Sequence, residues 1–214
     1  MKFSMKKFFL NDWVQLIFLI FIVSSCKSFV AEPRYIPSGS MLPGLQINDN
    51  LIIEKISLKK RDPKKGEIIV FKSPYSFDKG YLARRKSPLP SNSYCFFMRL
   101  FPMSTIPGLR DRACDAYIKR VVAIPGDLVM INKKGEVFIN NRKIIEPYIK
   151  YKCDFYPCAE IENIKVPKEH FLVLGDNRAN SEDARSWPGT FLPRKYIIGK
   201  AYFRFWPFGR IGFI

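Results

Sequence analysis

The feature that most constrains the fold of this chain is a single apolar stretch near its N-terminus. Three lysines precede it: Lys2, Lys6 and Lys7. Positive charge ahead of an apolar run is typical of a segment that enters a membrane. The uninterrupted run, residues 16–23, is shorter than the roughly 20 residues that a spanning helix needs, but residues 13–30 reach that length if residues 24–27 are tolerated near one face. We therefore expect a cytoplasmic tail over residues 1–12 and a transmembrane anchor over residues 13–30.

A second interpretation of the same segment is a cleaved lipoprotein signal. Residues 23–26, Val-Ser-Ser-Cys, have the form of a lipobox, in which Cys26 is lipidated and becomes the new N-terminus. Lys27 and Arg34 follow the stretch almost as densely as the lysines precede it, so the charge difference across it gives only a weak orientation. The sequence favours a retained anchor and leaves the lipidation of Cys26 open.

The remaining residues, 31–214, are enough for one domain with a substantial core. Short runs rich in β-branched and aromatic residues, separated by turn residues, predict strands. These runs are residues 51–55, 66–71, 117–124, 128–131, 137–139, 171–174 and 196–206. Asn140-Asn141 predicts a hairpin turn, and no segment outside the anchor has a convincing helical period. The predicted fold class is mostly β, as a domain in two parts.

Residues 72–116 differ in character from the segments around them. They contain no sustained period and five prolines: Pro74, Pro88, Pro90, Pro102 and Pro107. We expect a loop-rich insertion here. Its arginines and aromatic residues suit a nucleic acid or a lipid headgroup, but a solvated and partly packed loop is the simpler interpretation.

An excess of positive charge limits the class of partner. The chain has 36 Lys and Arg against 19 Asp and Glu, a formal net charge of +17. Such a charge suits an anionic membrane surface or a nucleic acid, and a solvated basic face is the third interpretation. Because 15% of the residues are aromatic, the composition argues against a disordered chain.

The five cysteines are Cys26, Cys95, Cys114, Cys153 and Cys158. In an exported domain, Cys153 and Cys158 can close a small loop, and Cys95 can pair with Cys114 across the insertion, although the sequence alone does not fix the pairing. A four-cysteine zinc site is disfavoured, because no two of these residues have the C-x₂-C spacing.

Two short blocks contain residues suited to nucleophilic chemistry. Ser40 lies in Pro-Ser-Gly-Ser-Met, residues 37–41, a predicted turn just after the anchor. A serine hydroxyl is a weak nucleophile until a nearby base takes its proton. The only histidine, His170, lies where a turn enters a strand, which is typical of a structural histidine. The candidate base is therefore Lys119, in Tyr-Ile-Lys-Arg at residues 117–120.

A lysine acts as a base only when its amine is neutral. At an unperturbed pKa near 10.4, about one amine in a thousand is neutral at pH 7, so burial has to lower that pKa by a few units. On a strand, Lys119 shares a face with Tyr117 and Val121, whereas Arg120 points to the opposite face. This spacing fits a buried base and, equally well, one of many surface lysines.

These blocks, together with Gly-Asp-Asn-Arg-Ala-Asn-Ser-Glu-Asp at residues 175–183, closely resemble the motifs of the type I signal peptidase (leader peptidase) family in residue types and order. The resemblance extends from Ser38 to Arg185. It implies a serine endopeptidase with a Ser/Lys dyad, in which Ser40 is the nucleophile and Lys119 the general base. It also implies that the Ser38 hydroxyl and the Ser40 backbone N–H stabilise the oxyanion.

The resemblance gives supporting roles to five further residues. Ser181 would hydrogen-bond the lysine base, and Asp176 would pair with Arg120. Asp183 and Arg185 would brace the loop that carries Ser181. Such partners matter because a buried amine has to be held in line as well as desolvated.

The chain departs from the commonest family pattern at three places. Ala179 stands where Asp is usual, Ala184 where Ser is usual, and Trp187-Pro188 where Trp-Gly is usual. Because these positions lie between the key residues, they bear on the geometry of the loop more than on activity.

The family also implies a mode of substrate binding. An extended peptide would lie between residues 35–37 and residues 117–118, paired through its main chain. The binding residues would be Ile36, Pro37, Tyr117 and Ile118. Two of these, Ile36 and Ile118, would line shallow apolar pockets that accept only small residues, as in an Ala-x-Ala cleavage site.

The sequence thus predicts a signal-peptidase-type catalytic domain over residues 31–214, on the extracytoplasmic (periplasmic or lumenal) side of a single-pass anchor. Its partners would be the signal peptides of exported preproteins and membrane lipid. We expect no metal, no organic cofactor, no nucleic acid and a monomeric chain.

Two other classes of protein remain as alternatives. One is a non-enzymatic lipoprotein anchored at Cys26, whose basic surface binds a membrane or a nucleic acid. The other is a self-cleaving repressor with the same Ser/Lys logic. A repressor needs a DNA-binding helical module, which residues 1–30 do not provide.

Overall fold

The computed structural model describes residues 12–85, 91, 116–153 and 158–214. Within these residues the chain forms twelve strands in two antiparallel sheets. The strands are β1 (Ala31–Tyr35), β2 (Asn50–Glu54), β3 (Ile68–Lys72), β4 (Ala116–Ala123), β5 (Leu128–Ile131), β6 (Val137–Ile139), β7 (Arg142–Lys143), β8 (Ile161–Lys165), β9 (His170–Leu174), β10 (Leu192–Pro193), β11 (Ile197–Trp206) and β12 (Gly212–Phe213). The helices are α1 (Asp12–Phe29), α2 (Ser57–Lys60) and α3 (Lys79–Ala83).

The larger sheet carries the candidate site. Its strand order is β1-β2-β11-β3-β4-β9-β10, and β12 pairs with β11. The smaller sheet has the order β7-β6-β5-β8. β4 leads through the turn at Gly126 into β5 and so connects the two sheets; Gly126 has the positive φ that this turn requires.

Two apolar clusters lie on opposite faces of the central strands. One cluster includes Ile69 and Phe71 of β3 together with residues of the smaller sheet, and the other includes Ile68 and Val70. Alternate residues of a strand point to opposite faces, so β3 is buried on both sides. This explains why residues 68–71 form an unbroken apolar run rather than an alternating one.

The prediction of a mostly β fold is confirmed. Each strand predicted from the sequence is present within one or two residues, and Asn140 and Asn141 both have the positive φ of a tight hairpin turn. The short strand β7 is the second arm of the predicted hairpin, whereas the sequence missed β8, whose burial alternates poorly, and the short strands β10 and β12. It also missed α2 and α3, which are too short to develop a helical period.

The N-terminal helix α1 covers nearly the whole of the segment predicted to be an anchor. Among the described residues, no helix combines the length and the apolar character needed to cross a membrane. The predicted transmembrane anchor and single-pass topology therefore stay predictions.

Other predictions fall partly outside the described residues. Most of the predicted tail lies outside them, as do Cys95, Cys114 and most of the predicted insertion. The described beginning of the insertion contains a 3₁₀ turn, Pro74–Ser76, and helix α3.

Candidate active site

Ser40 lies on a tight turn directly after β1. The turn is a 3₁₀ helix, Gly39–Met41, and Met41 is fully buried beneath it. Hydrogen bonds between Ile36 and the backbone of Asn48 and Asp49 hold the preceding segment to the following one. The turn therefore presents the Ser40 side chain from a fixed backbone rather than from a free loop.

The amine of Lys119 reaches this serine from the middle of the sheet. It donates hydrogen bonds to Ser40 Oγ over 2.8 Å and to the carbonyl oxygen of Ile118 over 3.1 Å. Lys119 lies on β4 and is only 4% exposed. The structure thus brings together the predicted nucleophile and the predicted base, which are separated by 79 positions in the chain.

Burial changes the acid–base behaviour of Lys119. Removal of the ammonium from water lowers the pKa of this amine to about 8, and the nearby carboxylates of Asp183, Glu182 and Asp176 oppose part of the shift. The direction matches the requirement for a neutral amine. With a pKa of about 8, roughly one amine in ten is neutral at pH 7.

The loop that follows β9 is hydrogen-bonded to the serine turn. The backbone N–H of Asn177 donates to the carbonyl of Ser40 over 3.1 Å, and the Asn177 side-chain amide donates to the carbonyl of Gly39 over 3.1 Å. The sequence resemblance gave no role to Asn177. These two contacts make it the direct link between the loop and the turn that carries the nucleophile.

The predicted pair of Arg120 and Asp176 is present on the opposite face of β4. Arg120 donates to the two carboxylate oxygens of Asp176 over 2.8 and 2.6 Å, which is a bidentate ion pair. The guanidinium also lies 4.0 Å from the centre of the Tyr148 ring. Because Lys119 and Arg120 are adjacent on a strand, this pair fixes the backbone from which Lys119 projects.

Asp183 and Arg185 brace the same loop, as predicted. Asp183 accepts a hydrogen bond from the Gly175 N–H over 3.0 Å and lies 2.8 Å from Arg185. Burial alone would raise the pKa of Asp183, but the hydrogen bonds from Arg185 and Gly175 outweigh it and hold that pKa below its usual range. Asp183 therefore stays ionised and connects the two ends of the loop.

The predicted hydrogen bond from Ser181 to Lys119 is absent. Within the described part of the chain, the buried Oγ of Ser181 has no hydrogen-bond partner. This hydroxyl instead packs over the backbone of Gly175: a Cβ at Gly175 would lie 2.1 Å from Ser181 Oγ and 2.5 Å from the Ser40 carbonyl oxygen. Ser181 thus lies beside Gly175 without a hydrogen bond to the amine.

Two long-range contacts around the loop were not predicted. Arg178 is paired with Glu146 at 2.5 Å, and Tyr81 donates a hydrogen bond to Glu182. The partners of each contact are 32 and 101 positions apart. A single sequence has no local signal for contacts of this range.

Cys153 and Cys158, whose pairing the sequence leaves open, form a disulfide. It packs against the loop, since Arg185 donates to Cys158 Sγ over 2.7 Å and Cys153 Sγ contacts the carbonyl oxygen of Arg178. The other cysteine pairing is not tested by the described residues.

The residues predicted to bind substrate border the dyad. β4 pairs with β3 over residues 116–120 but with β9 only from Arg120 onward, so among the described strands its edge is open beside Tyr117 and Ile118. Ile36 and Ile118 are buried in one apolar cluster. Pro37 and Ser38 are exposed, and Ser38 Oγ lies 3.5 Å from Ser40 Oγ.

His170 does not take part in this constellation. It lies at the end of β9 remote from Gly175, half-buried, and its Nδ1 contacts the carbonyl oxygen of Lys168 at 2.7 Å. Among the described residues, no three His, Cys, Asp or Glu side chains are grouped so that they could hold a metal ion.

A serine hydroxyl bonded to a buried, pKa-lowered amine is the arrangement expected of a serine hydrolase whose base is a lysine. Comparison with known proteins identifies the family. The family model described as "Signal peptidase, peptidase S26" matches residues 10–206. The chain belongs to this family and is a peptidase; the alternative of a non-enzymatic lipoprotein is set aside.

Several named relatives are similar over most of the chain. "Probable signal peptidase I-2" of Synechocystis is 38% identical over 95% of this chain and 78% of its own length. "Signal peptidase I" of Mycobacterium tuberculosis is 31% identical over 87% of this chain and 69% of its own. "Probable thylakoidal processing peptidase 2, chloroplastic" of Arabidopsis thaliana is 34% identical over 85% and 40%.

Among solved structures, a signal peptidase I from Enterococcus faecalis matches with a TM-score of 0.41 and 19% identity. The match covers 65% of this chain and 97% of that one.

Replacing the buried amine tests the origin of the pKa shift. Because folding lowers the pKa of Lys119 from 10.5 to about 8, the folded state disfavours the ammonium at any pH below the unfolded value. We expect Lys119→Met to raise the free energy of unfolding at pH 7 by about 1–3 kcal/mol. The difference should shrink as the pH rises from 8 towards 10.5. Chemical denaturation at several pH values measures it, with the exposed Lys168→Met as control; a less stable Lys119→Met at pH 7 would contradict the account.

The close approach of Gly175 to the serine turn gives a second prediction. In Gly175→Ala the new methyl group would collide with Ser181 Oγ and the Ser40 carbonyl, so the loop or the turn has to move. We expect kcat/KM to fall at least tenfold, since small misplacements of reacting groups are costly. Gly209→Ala is the matched control, because nothing lies within 4 Å of its added methyl group. Equal activity of both variants would show that the contact is unimportant.

Proposed function

We propose that this chain is a membrane-associated serine endopeptidase that removes signal peptides from exported preproteins, with Ser40 as nucleophile and Lys119 as general base. The observation that carries the proposal is the 2.8 Å contact between Lys119 Nζ and Ser40 Oγ, made by an amine buried in the sheet. The family supports the substrate class.

The reaction begins with proton transfer inside the dyad. Neutral Lys119 accepts the proton of the Ser40 hydroxyl while Oγ attacks the scissile carbonyl carbon. The resulting lysine ammonium then donates this proton to the leaving amine, and the signal peptide remains as an ester on Ser40. A water molecule, deprotonated by Lys119, hydrolyses the ester and regenerates the hydroxyl.

Ser38 supplies charge stabilisation in this proposal. Its hydroxyl lies 3.5 Å from Ser40 Oγ, on the solvent side of the turn. A small rotation of this side chain would let it donate to an oxyanion formed at Ser40, together with the Ser40 backbone N–H. Donors aimed at developing charge are typically worth a hundredfold or more in rate.

Substrate binding uses the open edge of β4. An extended peptide beside Tyr117 and Ile118 would complete the sheet with main-chain hydrogen bonds and bring its scissile bond to Ser40. Ile36, Pro37 and Ile118 would contact alternate side chains. Ile36 and Ile118 belong to a buried apolar cluster, which favours small side chains such as the two alanines of an Ala-x-Ala site, after which the chain is cut.

A membrane location agrees with several features of the chain. The relative from Arabidopsis is named for the thylakoid. Helix α1 exposes large apolar side chains such as Trp13, Ile17 and Phe21, and the net charge is +17. We propose that α1 holds a monomeric catalytic domain to lipid on the extracytoplasmic side, and that no nucleic acid is involved.

Substitution of the dyad tests the assignment of roles. We expect Ser40→Ala to abolish cleavage of a preprotein and Lys119→Arg to do the same, since a guanidinium keeps its charge and cannot act as a base. The controls are Ser76→Ala and Lys168→Arg, whose side chains are exposed. Cleavage is measured by N-terminal sequencing of the product. Normal turnover by either dyad variant removes that residue from the mechanism.

The pH dependence tests the identity of the base. Because the ammonium form is inactive, kcat/KM should fall about tenfold per pH unit below the pKa of Lys119, which is about 8, and level off above it. His170→Ala should keep both the activity and this acid limb. Loss of the limb in His170→Ala, or an acid limb with a midpoint near the usual pKa of histidine, would contradict a lysine base.

A further inference from the structure

A cationic cavity lies where helix α1 joins the β domain. It has a volume of about 280 Å³. Its polar wall consists of four basic residues, Lys55, Lys59, Arg194 and Lys195, and Leu58 and Ile197 contribute to its apolar lining. It is remote from the Ser40 turn, since Lys55 follows the end of β2 that pairs with the beginning of β1. Neither the peptidase reaction nor the binding of a signal peptide uses it.

The charges around this cavity do not balance. Lys55 is paired with Glu32 at 2.7 Å and Arg194 with Asp62 at 2.5 Å. Lys59 and Lys195 are exposed, and in the described part of the chain neither forms an ion pair with a carboxylate. Two of the four basic residues that line the cavity are thus not ion-paired with a carboxylate in the described part of the chain. Like charges held together repel each other, so an anion that bridges them gains energy from both.

Arg194 is fixed in place before any ligand arrives. Its Nη2 donates to the carbonyl oxygens of Leu58 and Arg61 over 2.5 and 2.9 Å, and its Nε donates to Asp62. These bonds hold the guanidinium against the cavity wall. A binding group that is already ordered loses little conformational entropy when its ligand binds.

The cavity opens beside the apolar helix. Lys59 Nζ donates to the carbonyl oxygen of Phe29, the last residue of α1, over 3.0 Å and lies 5.3 Å from the centre of its ring. The Lys55 N–H donates to the carbonyl of Val30 over 2.9 Å. Phe29, Val30 and Ile56 are all exposed around this junction. Cations and an uncovered apolar surface therefore meet at one place.

We propose that this cavity binds the phosphate group of an anionic membrane phospholipid, whose acyl chains lie along α1. The phosphate would contact Lys59 and Lys195, with Arg194 behind it, while the glycerol backbone faces Leu58 and Ile197. Lipid, rather than a free phosphate ion, is the occupant because the basic wall adjoins exposed apolar side chains, which a free ion would leave uncovered.

Such a contact would set the position of the active site above the membrane. β1 begins two residues after Phe29 and runs for five residues towards the Ser40 turn. A strand of that length spans roughly 16 Å. A headgroup held at the start of β1 would therefore fix both the height and the tilt of the catalytic turn. The inference is independent of the peptidase chemistry and would stand if the proposed dyad were wrong.

Vesicle binding by the full chain tests the proposal. Helix α1 should bind any bilayer, so the informative quantity is the ratio of partition coefficients for vesicles of phosphatidylcholine with phosphatidylglycerol and for vesicles of phosphatidylcholine alone. We expect the double variant Lys59→Gln/Lys195→Gln to lower this ratio by roughly 5- to 30-fold, since each lysine near an anionic surface contributes about 1 kcal/mol. Lys165→Gln/Lys168→Gln is the matched control, because it removes the same charge from exposed positions on and beside β8.

Three outcomes would overturn the proposal. Equal losses in the two double variants would mean that only the net charge of the domain matters. An unchanged ratio in Lys59→Gln/Lys195→Gln would show that the cavity does not hold the lipid. Loss of inorganic-phosphate binding in Lys59→Gln/Lys195→Gln, together with an unchanged vesicle ratio, would assign the cavity to free phosphate instead. Each variant must cleave a soluble peptide as the parent does, so that a folding defect is not mistaken for lost lipid binding. A failure of the dyad proposal would appear separately, in Ser40→Ala.

Discussion

The removal of the Lys119 amine from water is the constraint on which the candidate site depends. A cation in an apolar environment is unfavourable, and Lys119 is in such an environment because β4 lies inside the larger sheet, between β3 and β9, where neighbouring side chains are buried. The nearby carboxylates limit the shift, so the pKa settles at about 8 rather than far below it. A much lower pKa would make the amine too weak a base to take the serine proton, and full solvation would keep the amine charged. The partial shift leaves an amine that can both accept and return a proton near neutral pH.

The dyad is assembled from segments that are far apart in the chain, so its geometry relies on the contacts between them. Ser40 belongs to a turn after β1, Lys119 to β4, and the loop after β9 connects the two through Asn177 and Gly175. On the far side, Arg185 links Asp183 to the disulfide of the smaller sheet. The smaller sheet thus has no residue in the dyad, yet it supports the loop that positions it.

Much of this arrangement is readable from the sequence, for definable reasons. The strands follow from β-branched runs and turn residues, whereas the alternation of Tyr117, Lys119 and Val121 leaves a buried and a surface lysine equally open, and the structure shows Lys119 buried. The resemblance to signal peptidases correctly pairs Arg120 with Asp176 but predicts a bond from Ser181 to the lysine that is absent. Whether a hydroxyl reaches an amine depends on the exact path of the loop backbone, and no local sequence signal encodes that path. The same limit hides the long-range contact of Arg178 with Glu146.

The departures from the family pattern can be understood from where the residues lie. Ala179 is exposed, so an aspartate there would only face solvent. Ala184 is fully buried in the larger apolar cluster, where a serine hydroxyl would need a partner that apolar neighbours do not supply. Pro188 packs against Gly80 of α3, which has no side chain in the way. Each of these three differences thus lies at solvent, in the apolar cluster or against α3. The residues that contact the serine turn or hold the loop closed are Gly175, Asn177 and Asp183, and all three keep the residue types of the resemblance. The loop therefore varies where it meets the rest of the domain, while the surface that faces Ser40 stays the same.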